Sequence, residues 1–204
     1  MSFVEQHYKF ALVVEGDADK KFLKDYCAEI FSVNLTDQDF IKVGTDWRGL
    51  ENQKMHLSRR LEEGRTLLLI LDADTPSHTQ GGFEKRLIVI NEWLKNAKIA
   101  AQVFLWPNNS ADGQLESMLQ KIIVMEHFHI FSCFEKYEDC LRSSNKGYVT
   151  PDEGAKIYAY VEALGVKKEE RNDVKRNYAN TQIWNLKSDF LHSLNQFLAP
   201  HVHA

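Results

Sequence analysis

The sequence predicts an α/β fold: about four mainly parallel strands flanked by helices, followed by a helical C-terminal extension. Three observations predict it. Apolar runs at Phe10–Val14 and Leu67–Leu71 are short, rich in Val, Leu and Ile, and bounded by polar residues. That is the pattern of strands buried on both faces. Stretches with apolar residues at helical spacing follow each run. The strand-like runs recur at roughly 30-residue intervals, as βαβ units require, and such repetition implies parallel strands joined by right-handed crossovers.

The elements follow in order. The first strand is expected at 8–14. A helix comes next, with Phe22, Leu23, Tyr26, Cys27 and Ile30 on one face. A short strand is expected at 39–43. A second helix carries Trp47, Leu50, Leu57 and Leu61, and Gly64 is placed to cap its end. The third strand is 66–71. A third helix starts near Phe83 and buries Leu87, Ile90 and Leu94. The fourth strand is 101–105. A fourth helix starts near Gly113 and buries Leu115, Met118, Leu119 and Ile122. No strong strand pattern follows residue 125. Helices are expected at 129–143, 152–164 and 187–198, with a loop at 143–154 and an exposed, highly charged segment at 167–180. The division is therefore a domain at 1–125 and a helical extension at 126–204 packed on the same core.

A chain of 204 residues suits one domain, or one core with an extension. With 44% apolar and 26% charged residues, it has the composition of a globular protein. No stretch approaches the length of a membrane helix. The N-terminus MSFVEQHYKF lacks the features of a signal peptide. The three cysteines, Cys27, Cys133 and Cys140, show no C-x-x-C spacing, so reduced thiols and a cytoplasmic location are expected. Cys133 and Cys140, seven apart, are expected to pack on one helix face. The net charge of −4 argues against broad capture of nucleic acid.

Carboxylates gather where the chemistry is expected. Glu15 follows the first strand, and Asp72 and Asp74 follow the third. In open α/β sheets, ligands bind beyond the carboxyl ends of the strands. If the two strands are neighbours, all three acids meet at one edge. Packed carboxylates repel one another and ask for a cation. Oxygen-only ligands suit Mg²⁺ or Mn²⁺ rather than zinc. Gly16 is expected to permit the turn. Asp17 and Asp19 fall at a helix N-terminus, where the helix dipole favours negative charge. Setting aside Glu15, Asp17, Asp19, Asp72, Asp74 and Glu116 leaves 23 of the 29 acidic residues against 25 basic ones, so a phosphate substrate is not excluded.

The pairing of Glu15-Gly16 after one strand with Asp72-x-Asp74 after a later one resembles the Toprim domain. That fold is shared by topoisomerases, bacterial-type primases and the nucleases of the OLD (overcoming lysogenization defect) class. An acid at Asp19 is closer to the OLD-type version. Gly113-Gln114-Leu115-Glu116 resembles the Gly-x-Leu-Glu of a small, uncharacterised Toprim-like family related to the OLD nucleases. The resemblance covers roughly 8–125 and is weaker beyond, where Lys156 and Trp184–Leu198 are similar to that family's tail.

It implies divalent-metal-dependent phosphodiester hydrolysis, that is, a nuclease. Glu15, Asp72 and Asp74 would be catalytic, and Glu15, Asp72, Asp74, Asp19 and Glu116 would hold Mg²⁺ or Mn²⁺. Nucleic acid, DNA or RNA, is the expected substrate. The alternatives are nucleotidyl transfer and a non-catalytic phosphate- or nucleic-acid-binding module. No GxxxxGK[ST] loop occurs, so an ATPase, which many OLD proteins carry, would have to come from a partner protein. No primase-type zinc motif and no H-E-x-x-H occur. Lys85 and Arg86 read as a solvated helix face, and the terminal HVHA as a frayed tail.

Overall fold

The computed structural model describes residues 8–202. Four strands form one parallel sheet: β1 (Phe10–Val14), β2 (Phe40–Lys42), β3 (Thr66–Asp72) and β4 (Ala101–Trp106). Their order across the sheet is β2-β1-β3-β4. Helix α1 (Asp17–Phe31) connects β1 to β2, α2 (Leu50–Glu62) connects β2 to β3, and α3 (Phe83–Ala97) connects β3 to β4. The chain moves outward from β1 to β2, then crosses back to β3 and β4. The switch point of this topology, where ligand crevices open, thus lies between β1 and β3.

Side chains alternate across the sheet because successive strand residues face opposite ways. Phe10, Leu12, Val14, Leu68, Ile70, Phe104 and Trp106 meet Phe22, Leu23, Tyr26 and Cys27 of α1. Ala11, Val13, Leu67, Leu69, Leu71 and Leu105 meet Leu50 and Leu57 of α2 and Ile90 and Leu94 of α3. Every residue of β1 is fully buried, which explains its unbroken apolar run. Gly64, with φ of 77°, turns the chain out of α2 and into β3, a conformation glycine adopts without strain.

The C-terminal extension closes the α1 side of the sheet. It follows α4 (Leu115–Lys121) and comprises α5 (Phe128–Ser143), α6 (Glu153–Ala163), α7 (Lys168–Arg171) and α8 (His192–Val202). Phe131, Ile157, Tyr160, Tyr178, Trp184, Leu194 and Leu198 join the same core as Phe10 and Trp106. No helix among the described residues is long and apolar enough to cross a membrane.

Several expectations are corrected here. Cys133 and Cys140 are exposed rather than packed, because α5 turns Phe131 and Glu138 inward instead. The charged segment 167–180 is not wholly exposed. Arg176 and Tyr178 are buried in it, and the Tyr178 amide donates to Asp25 of α1 at 2.9 Å. Arg86 is only 1% exposed, while Lys85 is exposed as expected. Helix α8 begins at His192, after a turn capped by the Ser188 hydroxyl, and runs to Val202. His201 and Val202 are therefore helical rather than frayed; His203 and Ala204 lie outside the described residues.

Candidate active site

Five acids gather at the switch point. The parallel register sets Val14 opposite Ile70, so Glu15 and Asp72 leave the sheet at neighbouring levels of one edge. The Glu15 carboxylate bridges the two strand ends by accepting from the Asp72 amide, Oε1 to N at 3.1 Å. Only 8% of Glu15 is exposed. Asp72 in turn accepts from the Leu115 amide at 3.1 Å, which ties β3 to the first residue of α4. Helix α4 carries Glu116 at its next position, in the first turn.

Asp19 enters from α1. Its Oδ2 accepts from the Gly16 amide at 2.9 Å, capping the helix start, and its Oδ1 accepts from the Trp106 indole Nε1, also at 2.9 Å. Trp106 thus reaches from the end of β4 to the acid cluster. Gly16 has φ of −131°, an extended conformation open to any residue, so the turn itself does not demand glycine.

Asp74 is held by backbone and by charge. It has φ of 58°, and its amide and carbonyl exchange hydrogen bonds with Gly113 at 2.8 and 3.0 Å. Gly113 has φ of 140°, and an added Cβ would come within 2.6 Å of the Ser117 hydroxyl, so glycine is required at this close approach. The Asp74 carboxylate pairs with the buried Arg86 and faces His78 Nδ1 at 3.5 Å. Arg86 keeps Nε and Nη1 buried without a hydrogen-bond partner.

The burden of charge shows in the acidities. Burial pushes Glu15 up to about 8, and the charge of Asp19 adds to it against the hydrogen bond from the Asp72 amide. Burial pushes Asp19 up to about 6, although the Gly16 amide and Trp106 indole pull the other way. Asp72 is raised well above the ordinary carboxylate range, first by burial and then by the charges of Asp19, Glu15, Glu116 and Asp74. Burial also raises Glu116, with the Arg176 guanidinium opposing it. These couplings place Glu15, Asp19, Asp72, Asp74 and Glu116 in one electrostatic neighbourhood. Such like-charge crowding in a crevice is common at functional sites.

The expected residues therefore meet, with three qualifications of role. Asp17 faces outward and pairs with Lys42 at 2.8 Å. Lys156 pairs with Glu138 at 2.9 Å rather than with the cluster. Asp74 is occupied by Arg86. Glu15, Asp19, Asp72 and Glu116 are the carboxylates whose oxygens could be shared with a cation. Among the described residues, no group of three His, Cys, Asp or Glu is already arranged to hold an ion. Glu15 and Asp72 are instead turned to backbone amides, so binding an ion calls for side-chain rotation.

Sequence reasoning missed Arg86 and Arg176. A signal existed for the first: Arg86, Ile90 and Leu94 recur every four residues and so share the buried face of α3. Arg176 lies in an irregular segment whose periodicity carries no such signal.

A family model described as "Protein of unknown function (DUF3226)" matches residues 9–201. No curated protein and no solved structure matches the chain.

Proposed function

The chain belongs to the DUF3226 family, whose match takes in the sheet, the acid cluster and the extension alike, and we propose that it is a divalent-metal-dependent phosphodiesterase of Toprim-like character acting on nucleic acid. One observation carries this reading. Four carboxylates, from the end of β1, from α1, from β3 and from α4, converge at the switch-point edge, where burial raises all four pKa values and the charges of neighbouring acids of the cluster add to the rise at Glu15, Asp19 and Asp72. Arg86, paired with Asp74, opposes the rise at Glu15, and Arg176 opposes it at Glu116. An all-oxygen donor set with excess negative charge fits Mg²⁺ or Mn²⁺.

Glu15, Asp72, Asp19 and Glu116 would hold the ion. When bound, it would supply positive charge to a phosphoryl oxygen and acidify a water. The chain's own residues do the rest. The Trp106 indole fixes the orientation of Asp19, and the Asp72 amide holds Glu15 until an ion takes its place. Arg86 holds Asp74 at the cluster's border as a fixed negative charge.

The test is cleavage of labelled single-stranded and duplex DNA and RNA with Mn²⁺ or Mg²⁺, with and without chelator. Glu15→Gln keeps the shape and removes the charge. Cleavage by the wild type that chelation stops and Glu15→Gln loses supports the reading. Equal cleavage by wild type and variant contradicts it. Incorporation of labelled nucleotides without cleavage would favour nucleotidyl transfer, and ion binding with neither activity a binding module.

A further inference from the structure

The extension brings a second buried cation, Arg176, to the acid cluster, beside Glu116. Arg176 is 5% exposed. It donates from Nη2 to the Arg171 carbonyl at 2.8 Å and from Nη1 to the Tyr178 hydroxyl at 3.3 Å. Its Nε is buried without a partner. Arginine presents five N–H donors in a rigid fork, so Arg176 is undersatisfied as it stands. An arginine left in this state is expensive to bury unless something else completes its hydrogen bonding.

Arg176 lines a cavity of about 320 Å³ whose wall also includes Glu116, Arg171 and Tyr158. That volume falls within the range of small-molecule sites. Two further acids, Asp152 and Asp173, reach the wall, but each is engaged with a backbone amide, Ala155 at 2.7 Å and Val174 at 2.8 Å. Glu116 joins this cavity to the acid cluster. Arg176 lines a second, larger cavity of about 580 Å³ as well, which leaves its guanidinium room to shift.

Resting on the function proposed above, we infer that the cavity between Glu116, Arg171 and Arg176 receives a phosphate group of the substrate, the one adjoining the bond that is cut. A guanidinium matches two phosphate oxygens at once, and a phosphate would satisfy the donors that Arg176 leaves unused. The exposed Tyr158 ring at the wall offers a face on which a base can stack if that phosphate belongs to a nucleotide.

The experiment titrates the full chain, with Mg²⁺ present, against inorganic phosphate and against thymidine 5′-monophosphate, by calorimetry. Mn²⁺ affinity is measured in parallel without phosphate. Wild type binds a phosphate probe, and Arg176→Gln weakens that binding at least tenfold while Mn²⁺ binds at least as tightly as to wild type, since the charge opposing the acids is removed. Arg171→Gln, at a side chain 21% exposed that also pairs with Glu162, weakens it at least threefold and decides the matter if Arg176→Gln fails to fold. Tyr158→Ala distinguishes the source: a loss confined to thymidine monophosphate identifies a nucleotide, and no loss with either probe identifies phosphate alone. Wild-type protein that binds neither probe, or arginine variants that bind as well as wild type, overturns the inference, even if Mn²⁺-dependent cleavage is found. Phosphate binding that depends on these arginines in a chain that binds no Mn²⁺ upholds the cavity and overturns the metal reading instead.

Discussion

Removing the Glu15 charge should stabilise the metal-free protein at high pH and leave it nearly unchanged at low pH. The Glu15 carboxyl is raised from 4.5 to about 8 in the folded chain. Folded protein therefore holds a proton that unfolded protein releases. Stability is unaffected by this group below pH 4.5, falls as pH rises through the window to about 8, and stays reduced above it. At 1.36 kcal/mol per unit, that window spans about 4–5 kcal/mol. Part of the shift comes from the charges of Asp19 and Asp74, which remain when Glu15 is replaced and repel one another and Asp72. About half, roughly 2 kcal/mol, is expected to return in Glu15→Gln, whose amide oxygen can still accept from the Asp72 amide. For a chain of this length that corresponds to about 4–8 °C in Tm. The assay is thermal unfolding of wild type and Glu15→Gln with chelator from pH 4.5 to 9. The variant should melt higher near pH 9 and within about 2 °C of wild type near pH 4.5. A variant that melts at or below wild type at both ends would refute the claim that Glu15 is a strained, buried charge.

Three further outcomes follow from the same geometry. Asp72→Ala should fold, with stability within about 1 kcal/mol of wild type in chelator, because relief of repulsion offsets the lost bond to the Leu115 amide; it should show no Mn²⁺-induced rise in Tm, and a wild-type rise would exclude Asp72 as a ligand. Gly113→Ala should cost about 2–4 kcal/mol in urea unfolding, since its φ of 140° and the 2.6 Å approach to the Ser117 hydroxyl both resist a side chain; a cost below about 0.5 kcal/mol would contradict this account of the Asp74–Gly113 bridge. Arg86→Met should destabilise by about 3 kcal/mol by leaving Asp74 unpaired, and adding Asp74→Asn should recover part of that loss, whereas additive effects in the double-mutant cycle would deny their coupling.

The sheet was legible because burial on both faces leaves unbroken apolar runs at β1 and β3, and helical periodicity marks α1 to α4. The order of acids along the chain, Glu15 then Asp72 and Asp74, was likewise enough to place them at one edge once parallel pairing was assumed. What sequence could not supply was the partner of each charge. Arg86 reads as a surface residue beside Lys85, yet its four-residue spacing to Ile90 turns it under Asp74. Arg176 reads as one of many charges in 167–180, and only the anchoring of Tyr178 against Asp25 and Phe22 of α1 draws it inward. Lys156, to which the sequence assigned no role, pairs with Glu138, buried on α5. Local pattern reports which way an element faces, whereas ion pairs are settled by packing between elements distant in sequence.

The central claim is that the carboxylates of Glu15 and Asp72 share a divalent cation. Crystals grown with chelator and then soaked in Mn²⁺ test it most directly, through the anomalous scattering of manganese. The account predicts a peak at the edge between β1 and β3, within oxygen-ligand distance, about 2.0–2.3 Å, of Glu15 and Asp72 carboxylate oxygens, with the two side chains rotated away from the Asp72 and Leu115 amides. An anomalous map with no peak at this edge, while the acids remain bonded to those amides, would contradict it.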